Sequence, residues 1–181
     1  MFALESMHPG GLRLTERAAR LCGLAPGDSL IDVGCGQGAS VGFLRDNLGL
    51  RAVGIDMDAA GLPYPDGIFD AAMFECVLSV LPDAGAALRE ARRVVRAGGR
   101  LIVSDVYHKD AGTPWSADGL RTIVESAGFG VIVSEDHTPA LVTYRAERYA
   151  AGERTSGCAP RGLGYILLIA ARENGSVASH E

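Results

Sequence analysis

Long apolar runs are missing from this sequence. The longest, Tyr165 to Ala171, is far too short to span a bilayer. CxxC pairs are missing too. The four cysteines, Cys22, Cys35, Cys76 and Cys158, are scattered, and no His-rich tract adjoins them. Neither a disulfide framework nor a metal centre is expected from that pattern. Blocks of like charge are absent. Seventeen Lys and Arg against 22 Asp and Glu leave a net charge of −5, which argues against a nucleic-acid groove or an anionic membrane as partner. The opening MFALESMHPGG lacks the basic start and apolar run of a secretory signal. The expectation is a cytoplasmic protein with reduced thiols.

What is present fits one globular domain. The 181 residues are 48% hydrophobic and 22% charged, and a chain of this length buries roughly 70% of its surface without help from disulfides or metals. A single domain over 1–172 is expected, with a lead helix inside 1–27, a substrate lid at 136–163 and a frayed tail at 173–181. Short apolar runs alternate with helical periodicity, which predicts an α/β fold: a doubly wound, mostly parallel sheet with helices on both faces. Leu30–Val33, Ala52–Asp56, Phe69–Phe74, Arg100–Val106, Val131–Ser134 and Gly164–Ala170 read as strands. Thr15 is expected to cap a first helix ending at Gly23, and Gly49 to stop a second carrying Val41, Leu44 and Leu48. Asp83 caps a third, ended by Gly98-Gly99, and Ser116 a fourth, closed by Gly128. Thr138-Pro139 reads as a cap followed by a first-turn proline, opening a helix to about Tyr149.

The segment LIDVGCGQG, residues 30–38, follows a strand and opens a helix, the setting a nucleotide-binding turn requires. Glycines at 34, 36 and 38 let the backbone turn sharply with its amides unshielded, ahead of a helix N-terminus carrying partial positive charge. The pattern is GxGxG, not the GxGxxG of pyrophosphate-binding turns. Asp56, at the end of the next strand, is placed to hold both hydroxyls of a ribose. Together these features point to a nucleoside ligand; a turn made only for packing is the plainer alternative.

The segments DVGCGQG, VGID, LPYPDGIFDAAMFECVLSVLPD and LREARRVVRAGGRLIVSDV together resemble the class I S-adenosylmethionine-dependent methyltransferases. The likeness is to the small-molecule branch that includes quinone-biosynthesis and arsenite methyltransferase-like enzymes. It runs from about Leu24 to Val106 and continues weakly through LGYILLIAARE. The resemblance implies a Rossmann-like fold with an antiparallel last strand, S-adenosylmethionine as cofactor and a small-molecule methyl acceptor. It implies a cofactor lying over Gly34, Cys35, Gly36 and Gly38, with Asp32 beneath its methionine end. Asp56 would take the ribose hydroxyls with Met57 adjoining, Asp58 would face the adenine amino group, and Glu75 and Cys76 would border the sulfonium. Asp70 would be structural.

One departure is large. Only Met57 to Leu62 separate Asp56 from Pro63, where the family places a helix and a strand, and an average helix alone takes about 11–12 residues. One edge strand is therefore expected to be missing, along with one wall of the adenine pocket. The strand ending in Asp56 becomes an edge, and an exposed edge invites pairing, here in a homodimer.

Ligands of open α/β sheets bind beyond the carboxyl ends of the strands. That rule assembles an expected acceptor pocket from Cys76, Tyr107, His108 and His137, with Glu135 and Asp136 nearby. Histidine titrates near neutral pH, so His137, oriented by Asp136, is the first candidate for proton acceptor and His108 the second. Each residue alone reads equally well as a solvated loop side chain. No GxSxG elbow exists, and His8, His108 and His137 lack metal-ligand spacing. Cys76 reads as a buried thiol before a thiophilic ligand. Two other function classes stay open: a cofactor-binding or degenerate protein of this fold without transferase activity, and a nucleotide-dependent oxidoreductase, against which GxGxG argues.

Overall fold

The computed structural model describes residues 8–56, 61–153 and 162–173. The alternation of patterns resolves into α1 (Gly11–Leu21), β1 (Ser29–Val33), α2 (Ala39–Leu48), β2 (Arg51–Ile55), β3 (Phe69–Glu75), α3 (Ala84–Val94), β4 (Val95–His108), α4 (Ala117–Ser126), β5 (Phe129–Asp136), α5 (Thr138–Ala150) and β6 (Leu163–Arg172). The strands form one sheet in the order β2-β1-β3-β4-β6-β5. The β1–β2, β1–β3 and β3–β4 pairs are parallel, and β6 runs antiparallel between β4 and β5.

Two apolar layers cover the sheet, as a doubly wound fold requires. On one face Ile31, Phe74, Leu101 and Leu168 pack with Leu88 of α3 and Val124 of α4. On the other Leu30, Met73, Ile102 and Tyr165 pack with Leu14 of α1, Leu44 of α2 and Leu141 of α5. All five residues of β1 are buried, the mark of a strand covered on both sides.

The absent edge strand has a structural counterpart. β2 is the sheet edge, and among the described residues no strand lies between Ile55 and Phe69. Arg93 of α3 holds the far side of this shortcut. Its guanidinium donates to the carbonyls of Leu62 (3.0 Å) and Tyr64 (2.8 Å) and to the carboxylates of Asp66 (2.6 Å) and Glu90 (2.5 Å). Glu90 in turn accepts the Leu62 amide at 3.1 Å. Asp70 ties β3 to β1, accepting from the Ser29 amide (2.8 Å) and hydroxyl (2.7 Å) and from Arg96 (2.6 Å). These contacts hold the Asp70 carboxyl at about 2 against the opposing effect of its partial burial.

Several boundaries differ from the sequence reading. Thr15 does not cap α1. The helix opens four residues earlier, behind Gly10 at φ 81°, and Thr15 is buried within it. α3 ends at Val94, before the Gly98-Gly99 pair, because Val95 is already extended and pairs with Phe69. Asp83 and Ser116 do cap their helices, accepting the Ala86 and Gly119 amides. α5 takes His137 as its N-cap residue, one position before the expected Thr138. Among the described residues, no helix is long and apolar enough to cross a membrane.

Candidate functional site

The glycine turn joins β1 to α2 at the carboxyl edge of the sheet. Gly34, Gly36 and Gly38 all adopt left-handed backbone, at φ 81°, 50° and 80°, which side chains disfavour. At Gly34 space is also decisive, because a Cβ there would run into the Val77 side chain. The amides of Gly34 (2.6 Å) and Cys35 (3.2 Å) donate to the Ile55 carbonyl, locking the turn to the end of β2. One residue further, Asp56 accepts the Gly36 amide at 3.0 Å. No side chain caps the first turn of α2 behind it.

Beside this turn lies a cleft of about 220 Å³, lined by Asp32, Gly34, Cys35, Gly36, Ser40, Glu75 and Cys76, and by His8 from the start of the described chain. The arrangement beneath it is a buried polar cluster. Glu75, the last residue of β3, accepts the Thr15 hydroxyl (2.9 Å), the Ser40 hydroxyl (2.6 Å) and His8 Nε2 (3.2 Å). One carboxylate thus joins the N-terminal segment, α1 and α2. His8 Nδ1 lies 3.1 Å from the Pro9 carbonyl, so both ring nitrogens face oxygen acceptors and the imidazole fits as its doubly protonated cation.

Charge in the cleft is unbalanced. Burial works against ionisation of both partners in the His8–Glu75 pair, but their mutual attraction and hydrogen bonds prevail. The imidazole is raised above its usual value and the carboxyl is lowered. Asp32 is 2% exposed. Burial, with Glu75 next in weight, pushes its carboxyl up to about 8. A second acid beside an already ionised one holds its proton until a cation arrives. The Cys76 thiol, pushed up to about 12 by burial, stands 3.2 Å from the Tyr165 hydroxyl. Among the described residues Cys76 is the one non-glycine at positive φ, 55°, a strained backbone of the kind that gathers at functional sites. Below it Asp105 accepts the Ser79 amide (2.9 Å) and hydroxyl (2.7 Å), fixing the turn that carries Val77.

Of the residues singled out from sequence, the cleft brings together Asp32, Gly34, Cys35, Gly36, Glu75 and Cys76. Gly38 caps the adjoining helix and Asp56 bonds the turn. Met57 and Asp58 lie outside the described residues. Tyr107, His108 and His137 do not line the cleft. Tyr107 packs on the opposite face of the sheet from Cys76. His108 is exposed, its amide bonded to the Trp115 carbonyl. His137 Nε2 is 2.9 Å from Glu135, which also takes both arms of Arg17. Glu135, not Asp136, therefore orients that ring; Asp136 instead accepts the Thr138 hydroxyl and amide. Sequence reasoning missed His8, Thr15 and Ser40. A threonine on the same helical face as Leu14 and Ala18 was the available signal, since a buried hydroxyl needs a partner.

The chemistry this cleft can do follows from its parts. A glycine turn ahead of a helix start with no side-chain cap and a strand-end carboxylate suit a ribose-bearing ligand, and an acid floor holding one exchangeable proton suits a cationic group on it. Comparison with known proteins agrees. A model of a methyltransferase domain family matches residues 31–103. The 27-O-demethylrifamycin SV methyltransferase of Amycolatopsis mediterranei is 30% identical over 154 residues, covering 71% of this chain and 57% of that protein. The phosphoethanolamine N-methyltransferase of Triticum aestivum is 25% identical, covering 76% and 35%. The crystal structure of the [4+2]-cyclase SpnF superposes with a TM-score of 0.76 at 26% identity, covering 91% of this chain and 81% of that one. The chain thus spans a third to somewhat over half the length of these two curated relatives. The glycine turn, the strand-end acid, the sheet order and these relatives converge: the chain has the Rossmann-like fold of, and is similar over residues 31–103 to, the class I S-adenosylmethionine-dependent methyltransferases.

Proposed function

We propose that this protein transfers a methyl group from S-adenosylmethionine to a small-molecule acceptor. The observation that carries the reading is the cleft itself, where the glycine turn at Gly34 and Gly36 meets the surplus acid Asp32 and Asp56 bonds that turn. The residues present fit the cofactor. Asp56 would take ribose hydroxyls at the cost of its bond to Gly36, the glycine turn with the uncapped start of α2 behind it leaves room for polar atoms, and Asp32 with Glu75 favours a cationic end. When bound, the cofactor supplies a methyl group activated by a sulfonium, which leaves as a neutral thioether holding the carbon–sulfur electron pair. The protein's share is alignment and exclusion of water. The acceptor forms the new bond with its own lone pair and releases its proton, and Cys76, just past the end of β3 in the cleft lining, would border it. His8, its ring nitrogens already committed to Glu75 and Pro9, acts as a wall and a fixed charge.

The same reading includes a homodimer joined along β2, whose outer edge is unpaired among the described residues. Sedimentation as a monomer at high concentration would remove that part alone. For the activity, calorimetry with S-adenosylmethionine and S-adenosylhomocysteine comes first, followed by release of labelled methyl to small-molecule panels. Binding of neither compound sinks the proposal, and NADH binding in their place would favour an oxidoreductase.

A further inference from the structure

A second cavity, of about 410 Å³, opens between the start of α1 and α5. Its volume lies within the range of small-ligand sites. His8 belongs to both cavities, so the second one meets the cofactor cleft at that ring. Thr143, Tyr144 and Glu147 reach it from one stripe of α5 at helical spacing, and Gly10 and Arg13 face them from the first turn of α1.

The charges on the two walls are complementary and unspent. Among the described residues neither Arg13 nor Glu147 enters an ion pair, although Arg17 and Arg148 on the same two helices both do. Two opposite charges facing a shared cavity without bonding each other leave room for a molecule that answers both. An arginine fork takes a carboxylate or phosphate with two parallel hydrogen bonds, and a carboxylate takes an ammonium. Between them the Tyr144 ring, half-buried and with the Arg148 guanidinium 5.7 Å from its centroid, supplies an apolar wall.

We propose that this cavity is the acceptor site and that it takes a small amphoteric amine, its anionic group on Arg13 and its amino group on Glu147. The proposal deepens the methyltransferase reading and rests on it only in calling the ligand an acceptor. The amphoteric site stands on the cavity and its charges.

The test uses two probes on the full chain, sarcosine for a carboxylate and phosphoethanolamine for a phosphate, titrated calorimetrically with and without saturating S-adenosylhomocysteine. At least one probe is expected to bind saturably, and the stronger identifies the anion. Arg13→Ala and Glu147→Gln lie on exposed helix surface and should fold normally. Each should weaken that probe about tenfold or more and leave S-adenosylhomocysteine affinity unchanged. Protein that binds S-adenosylhomocysteine but neither probe overturns the proposal, as does binding indifferent to both substitutions. Probe binding by protein that ignores S-adenosylhomocysteine upholds the amphoteric site and overturns the cofactor reading instead.

Discussion

Glu75→Gln is the sharpest test of the buried cluster. The amide has nearly the shape of the carboxylate, but Thr15, Ser40 and His8 all donate to the native group. An amide offers one oxygen and sets its own two protons against the remaining donors. The imidazolium also loses its counter-charge at a site where its side chain is 7% exposed. Removing one member of a buried pair costs about 3–5 kcal/mol, which is about 6–20 °C in Tm for a domain of this size. The loss should depend on pH in a defined direction. His8 is raised above its ordinary 6.5, so its contribution is complete below pH 6.5 and fades as pH climbs through the folded value. Glu75 is lowered from 4.5, so its contribution is present above pH 4.5 and fades as pH drops through the folded value. The native pair is therefore worth most between about pH 4.5 and 6.5. At pH 5.5 the full deficit is expected. At pH 8.5 the His8 ring of the variant sheds its proton cheaply, and Asp32, freed of a neighbouring charge, ionises more easily, so the deficit should shrink. Urea unfolding of both proteins at the two pH values measures it, and the double variant with His8→Gln should recover part of the loss at pH 5.5. A deficit equal at both pH values, or below about 1 kcal/mol at pH 5.5, would refute the charged-pair account.

Three further outcomes are expected. Asp56→Ala should weaken S-adenosylmethionine by about 1.5–3 kcal/mol, the range for hydrogen bonds to a charged group; an unchanged Kd in folded protein removes Asp56 from the site. Asp32 keeps its proton to about pH 8 in the free protein, so binding a cationic ligand should release a proton and tighten as pH rises from 6 to 8. Calorimetry at pH 7 in phosphate and in Tris checks this, and identical heats in the two buffers contradict it. Because His108 and His137 stand outside the cleft lining, His108→Ala and His137→Ala should leave turnover near wild type once an acceptor is known, and a tenfold fall in kcat for either would restore it as the base.

The parts legible in the sequence were those made by neighbours in the chain. The turn at Gly34–Gly38 follows from three glycines between a strand and a helix, and the edge position of β2 from the short span between Asp56 and Pro63. The parts that were not legible depend on distance. Thr15 and Glu75 are 60 residues apart and Ser40 and Glu75 are 35 apart, and no local pattern announces that α1 will lie across the end of β3. Boundaries failed for a similar reason. Gly98-Gly99 signals a helix end in isolation, but pairing of Val95 with Phe69 draws the chain into the sheet first. Tyr107 was misplaced because β4 runs on to His108, so Tyr107 sits within the strand, where neighbouring positions point to opposite faces.

The place of β6 bears on how the chain can be made. Residues 163–172 are the last of the six strands to leave a ribosome, yet they occupy an interior position and pair with β4 and β5 at once. Until they emerge, β5 has no partner and β4 ends in an open, apolar edge with Ile102 and Val103 beside it. The nascent chain can settle β1 to β4 early, as a parallel half-sheet that must wait for its closing strand. During that wait the half-sheet is a sticky surface, and chaperones that shield unpaired strands would be most needed until β6 has emerged.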